Sequence, residues 1–271
     1  MDFAARIRKD HGVLIRFFVA KAMGAATALA RSELARSDLE RRLGATVRFE
    51  LAESYADLEA AVVGKQAHLV WAPPLVCARI QPHAWATFKL ARRGRSTYRT
   101  AILALRGKVD LERARGLRAA WVDRSSLGGY LLAREHIRKT RASYDAVVRE
   151  EVFLGSQPEA IAAVLDGKAD ITAVAVSDDS ISALHAGIST YVSESRVPML
   201  ESIAVTGEVP TDALVVTHAL ERESADDIVE RLFGATAGRG PSALRLAMEA
   251  EGFERASPSE YAEVLRLVHE A

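Results

Sequence analysis

Apolar and polar positions alternate along "TVRFELA" (46–52), the period-two pattern of a strand with one face buried. The apolar run "VLIRFFVA" (13–20) also reads as a strand, and "TALARSELARSDLERRLG" (27–44) as a helix or helix pair stopped at Gly44. In "SYADLEAAVVGK" (54–65), Ser54 is placed to cap, Leu58 and Val62 share a helical face, and Gly64 ends the helix. "AHLVWAPP" (67–74) is a short buried strand ended by two prolines. This β-α-β-α-β rhythm predicts a parallel sheet with helices on its faces.

The second half repeats the theme. "YRTAILALR" (98–106), "LRAAWVD" (117–123) and "EEVFLG" (150–155) read as strands, and "SQPEAIAAVLDGK" (156–168) as a capped helix. Strands follow at "ADITAVAV" (169–176), "LESIAVTG" (200–207) and "DALVVTHAL" (212–220), then helical stretches near 222–233, 240–251 and 258–270. No internal repeat or low-complexity linker interrupts the pattern. Two groups of similar size predict two α/β lobes, 1–98 with 206–271 and 99–205, crossed near 98–102 and 203–207. In open α/β sheets, ligands sit beyond the C-terminal ends of strands, so two lobes facing one another would enclose a small molecule.

Composition narrows the classes. Apolar residues make up 49% of the 271 and charged ones 27%, as in ordinary globular proteins. The charges balance, 36 basic against 36 acidic, which argues against a nucleic-acid partner. Cys77 is the one cysteine, so no disulfide within the chain reports its compartment. The opening "MDFAARIRKDHGVLIRFF" carries Asp2, Arg6, Arg8, Lys9, Asp10 and Arg16 and does not read as a secretory signal. No segment is long and apolar enough to span a bilayer, so direct membrane insertion is not expected. The localisation expected is cytoplasmic for a full chain, and periplasmic or extracellular if a signal was removed.

The stretch with most chemical content is "WVDRSSLGGYLLAREHI" (121–137). An apolar strand ends, a turn of hydroxyls and glycines follows, and an amphipathic helix begins. Ser125 or Ser126 would cap the helix, and Gly128 and Gly129 would let a ligand, or simply the neighbouring sheet, come close to the backbone. Unpaired N–H groups and the helix dipole favour an anion there. Ser156 and Gln157 start a second helix in the same way. Trp71 ends a strand on the expected ligand side, and Tyr98 lies at the first expected crossing. Asp178 follows a strand and would suit a cationic group. The seven histidines show no metal-ligand spacing, no cofactor or metal is expected, and "GATAGRGPS" (234–242) lacks the Lys-Ser/Thr ending of a phosphate loop. No Gly-x-Ser-x-Gly elbow occurs, so no catalytic residue is assigned.

Three segments together resemble a known family. "SYADLEAAVVGKQAHLVWAPP", "GLRAAWVDRSSLGGYLLAREHI" and "VFLGSQPEAIAAVLDGKADITAV" look like successive motifs of the phosphonate-binding-like substrate-binding proteins of ABC transporters, which take up phosphate, phosphite or phosphonate. The resemblance runs from about Leu39 to the end. It implies the type 2 periplasmic-binding fold: two lobes, each a mostly parallel sheet flanked by helices, with two hinge crossings. It also implies a small anionic ligand, closure of the lobes without bond chemistry, and an ABC permease as partner. Ser126 matches the first serine of the family's Ser-x-Ser-Gly turn, the second falls on Gly128, and Gly129 matches the glycine. Ser156 matches the serine of Gly-Ser-His, with Gln157 in place of the histidine. Tyr98 matches the aromatic at the first crossing. Two alternatives stand beside this reading: a cytoplasmic enzyme on the same fold, like the chorismate dehydratase of menaquinone synthesis, and a ligand-sensing domain.

Overall fold

The computed structural model describes residues 14–20, 25–141, 143–234 and 240–269. In chain order these form β1 (Leu14–Ala20), α1 (Ala25–Leu43), β2 (Thr46–Ala52), α2 (Tyr55–Val63), β3 (Leu69–Ala72), α3 (Pro74–Ile80) and β4 (Ala84–Ala91). Next come β5 (Thr97–Leu105), β6 (Leu117–Trp121), α4 (Leu132–Thr140), α5 (Tyr144–Val147), β7 (Val148–Phe153), α6 (Gln157–Leu165), β8 (Ile171–Val176), α7 (Ile181–Ser189), β9 (Leu200–Val205) and β10 (Val209–Pro210). The chain ends with β11 (Ala213–Thr217), α8 (Arg222–Phe233), α9 (Ser242–Ala247), β12 (Gly252–Arg255) and α10 (Pro258–His269).

Internal contacts divide the chain between Ser96 and Thr97 and again between Pro210 and Thr211. The last helix is shared, dividing at 262/263. The crossings expected near 98–102 and 203–207 thus lie just inside the second unit.

The first unit holds a sheet ordered β12-β4-β11-β3-β1-β2. β1 pairs in parallel with β2 and β3, with Phe17 opposite Phe49 and Leu69. Phe17 and Phe49 stack at 4.7 Å between ring centroids. The core gathers Phe17, Leu39, Leu43, Leu69, Leu90 and Leu214 from strands and the long first helix. Ser54 caps α2 by accepting the Asp57 N–H at 3.1 Å, as the spacing predicts.

The second unit holds β10-β5-β8-β6-β7, with β9 also on β5. Ile102 of β5 faces Ala173 of β8 on one side and Ala204 of β9 on the other. β6 runs parallel to β7 and β8. Its core includes Leu103, Ala120, Ile161, Val164, Val174 and Ile188.

Both sheets are mixed, where the βα rhythm predicts mostly parallel ones. β5 is antiparallel to β8, β9 and β10, and β11 to β3 and β4. These two strands follow directly on the points where the chain divides, with no crossover helix to reverse their direction before pairing. The prolines after β3 do not merely stop it: Pro74 is the first residue of α3, where a missing N–H costs nothing. The helix expected over 240–251 is shorter, and β12 follows it as an edge strand on β4. The interior of the 234–242 loop lies outside the described residues.

Candidate functional site

The turn after β6 is built on a buried aromatic base. Trp121 is fully buried, and its indole N–H donates to Glu151 at 2.9 Å. Its ring packs 5.6 Å from that of Tyr130, which meets Phe153 edge-on at 5.0 Å. The Arg124 guanidinium lies 4.3 Å over the Phe153 ring. Burial, first, and then the Glu151 carboxylate push the Tyr130 phenol above its ordinary pKa.

From that base the chain turns sharply. The Asp123 carboxylate accepts the Ser125 N–H at 2.7 Å, and its carbonyl accepts the Ser126 N–H at 2.9 Å. The buried Ser126 hydroxyl then accepts the Gly129 N–H at 3.1 Å. The first helical turn, Leu127–Leu131, is a wide π turn in which the Leu131 N–H reaches the Ser126 carbonyl at 3.0 Å. It runs directly into α4, so helical structure is continuous from Leu127 to Thr140. The helix starts at Leu127 with Ser126 as its N-cap, one of the two serines the sequence offers for that place. At such a start the first N–H groups, here those of Leu127 and Gly128, point forward out of the helix, where the dipole is positive.

The two glycines face different neighbours. A Cβ on Gly129 would stand 2.7 Å from Val122 Cγ2, inside the turn. A Cβ on Gly128 would stand 2.9 Å from Tyr98 Cε2 and 3.2 Å from the Tyr98 hydroxyl. The Gly128 carbonyl accepts the Thr100 hydroxyl at 3.1 Å. Tyr98, Ser126, Gly128 and Gly129 are therefore brought together, with Thr100 beside them. Thr100 had no signal except a hydroxyl just ahead of the apolar run "AILAL" (101–105).

The second turn is tied to the first. Leu154 and Gly155 donate their N–H groups to the carbonyls of Trp121 and Val122, at 2.9 and 2.8 Å. Gly155 takes φ +83°, a backbone that favours glycine. Ser156 caps α6, and its hydroxyl donates to Glu159 at 2.8 Å. The Gln157 amide donates to the Ala173 carbonyl at 2.6 Å. Both side chains are thus engaged within the fold, stitching the turn to β8.

Trp71 belongs to the first unit, at the end of β3. Its indole N–H donates to the Asp212 carboxylate, which also accepts Arg92 at 2.6 Å. Nothing in the sequence marks Asp212 as the partner that fixes this ring. Asp178 follows β8, where its carboxylate accepts the Ser180 N–H at 2.9 Å. In the second unit a cavity of 340 Å³ is lined by Ala101, Val176, Asp178, Ser180, Ile181 and Val205 among others, and by none of the eight residues proposed from sequence. Among the described residues, no cluster of His, Cys, Asp and Glu could hold a metal ion, and no helix is long and apolar enough to cross a membrane.

Comparisons with known proteins agree with this architecture. A binding component of an ABC phosphonate transporter from Pseudomonas aeruginosa superposes with a TM-score of 0.79 at 16% identity, covering 95% of this chain and 86% of that one. PhnD1 from Prochlorococcus marinus, solved with methylphosphonate, superposes with a TM-score of 0.77 at 14% identity, covering 95% and 97%. A Xanthomonas citri protein bound to ATP gives 0.74 at 14% identity, covering 95% and 97%. No curated protein sequence matches the chain. The sequence model of the phosphonate ABC transporter periplasmic substrate-binding proteins matches residues 20–261. With two α/β units in place and that match spanning nearly the whole chain, the protein belongs to the family of periplasmic substrate-binding proteins of phosphonate ABC transporters.

Proposed function

We propose that this substrate-binding protein holds a small anion with a phosphonate-like or phosphate-like head at the turn 125–129, and delivers it to an ABC permease. The observation that carries the reading is the geometry of Gly128. Its N–H and that of Leu127 open a continuous helix of fourteen residues, and no side chain at 128 covers them. Donors and dipole there both favour negative charge. The Ser126 hydroxyl accepts from Gly129 and keeps its own proton to donate. Tyr98 supplies an aromatic wall and a phenolic hydroxyl beside Gly128. Ser156 and Gln157 contribute by fixing the second turn.

That PhnD1 was solved with methylphosphonate supports choosing this ligand first. Isothermal titration with methylphosphonate, inorganic phosphate, sulfate and a neutral analogue tests the reading. Saturable binding of a phosphorus oxyanion, with none of the neutral analogue, is expected. Binding of the neutral analogue with equal affinity would overturn it.

A further inference from the structure

Thr100 is fully buried in β5, where the polar start of the strand gives way to the apolar run Ala101–Leu105. A buried hydroxyl costs free energy unless it is hydrogen-bonded, so its partner matters. That partner is the Gly128 carbonyl, 3.1 Å away and 28 residues along the chain. Thr100 is itself held from the other side. Its N–H donates to the Thr206 hydroxyl at 3.0 Å, and its carbonyl accepts the Thr206 N–H at 2.9 Å. Both threonines lie close to the points where the chain divides, after Ser96 and after Pro210. Arg99 reinforces the same junction, donating to the Thr206 carbonyl at 3.2 Å and pairing with Glu208 at 3.3 Å.

The consequence concerns peptide orientation. The peptide between Gly128 and Gly129 has its oxygen on Thr100 and its N–H on Ser126. The preceding peptide has its oxygen, that of Leu127, on the N–H of Leu132. With the peptide plane on each side of the Gly128 Cα held, the backbone dihedrals of this glycine are set. Glycine lacks a Cβ and would otherwise let this segment sample many backbone states. The Tyr98 ring closes the space a side chain would occupy.

We propose that Thr100 is a positioning residue for the anion-binding turn: its hydroxyl holds the Gly128 carbonyl and so fixes the glycine backbone that carries the ligand-facing Gly128 N–H. This rests on the reading that the turn binds the ligand, but the ordering itself exists without ligand. The turn is thereby linked to the segments by which the chain enters and leaves the second unit.

The test uses the full chain and three forms: wild type, Thr100→Val, which keeps the shape and loses the hydroxyl, and Thr100→Ser, which keeps the hydroxyl. Amide hydrogen exchange without ligand is read at Gly129 and Leu131, whose N–H groups are bonded to Ser126, with exchange in β8 as the folding control. Thr100→Val should speed exchange at the turn about tenfold while β8 stays protected, and Thr100→Ser should restore it. Methylphosphonate affinity, by titration calorimetry, should fall about tenfold in Thr100→Val and recover in Thr100→Ser. Wild-type exchange at the turn in Thr100→Val, or failure of Thr100→Ser to restore it, would overturn the proposal. Unchanged methylphosphonate affinity in Thr100→Val beside faster exchange would also overturn it. If wild type binds no methylphosphonate, that ligand assignment fails, and the exchange arm alone decides whether Thr100 orders the turn.

Discussion

Gly129 and Val122 sit so close that a Cβ on the glycine would lie 2.7 Å from Val122 Cγ2 and 2.8 Å from the Ser126 hydroxyl. Both neighbours are buried parts of the turn and cannot give way cheaply. Gly129→Ala should therefore destabilise the fold by about 1–3 kcal/mol, the usual cost of overpacking. Gly128→Ala meets the ring of Tyr98, so Tyr98→Leu, which removes the ring edge, combined with it should relieve part of the cost. Chemical denaturation of the single and double variants checks both statements. Equal, additive losses would show that Gly128 and Tyr98 are not in contact.

Ser126 is a cap before it is anything else, since its hydroxyl takes the Gly129 N–H. Ser126→Ala should cost about 1 kcal/mol of stability whether or not ligand is present. Ser126→Asp keeps an acceptor for that N–H but brings a negative charge to the anion site. It should retain most of the stability and lose methylphosphonate binding. Thermal melts beside titration calorimetry separate the two effects.

Asp170 has a purely structural setting. Arg118 donates to it from its side chain, at 2.8 and 3.2 Å, and from its backbone N–H at 2.8 Å. The Arg118 side chain holds this carboxyl below its ordinary range, against the opposing effect of burial. A carboxyl whose folded pKa lies below its unfolded one stabilises the fold fully above the unfolded value and loses that contribution as pH falls through the folded one. The melting temperatures of wild type and Asp170→Asn should differ by a constant amount from neutral pH down to about pH 5, and converge below about pH 4. A gap that persists unchanged in acid would contradict this assignment.

Much of the fold is legible in the chain because strong local signals agree with the tertiary outcome. "TVRFELA" becomes a strand over the same seven residues, and Ser54 caps its helix. β4 escapes because "AWATFKLA" is an inner strand whose burial follows its antiparallel neighbours rather than a simple alternation. β12 has four residues, two of them exposed, and its pairing with β4 decides its state. α7 starts at Ser180, which caps it, but its exposed Ile181 and central Gly187 blur the apolar face. The site is legible in part. The turn at 121–137 declares itself through Ser126, Gly128 and Gly129, because caps and glycines act locally. Thr100, Thr206 and Asp212 do not, because each acts through a partner far away in sequence: Gly128, Thr100 and Trp71. The Gln157 amide reads equally well as a ligand donor or a strand tie until the Ala173 carbonyl is seen against it.

The central claim is that the N–H groups of Leu127 and Gly128 hold the anion. A ¹⁵N–¹H correlation titration of wild-type protein with methylphosphonate tests it most directly. Saturable downfield proton shifts at Leu127 and Gly128, larger than at the caps of α2 and α7, are the predicted result. Saturable binding that leaves both amides unmoved would place the ligand elsewhere and contradict the account.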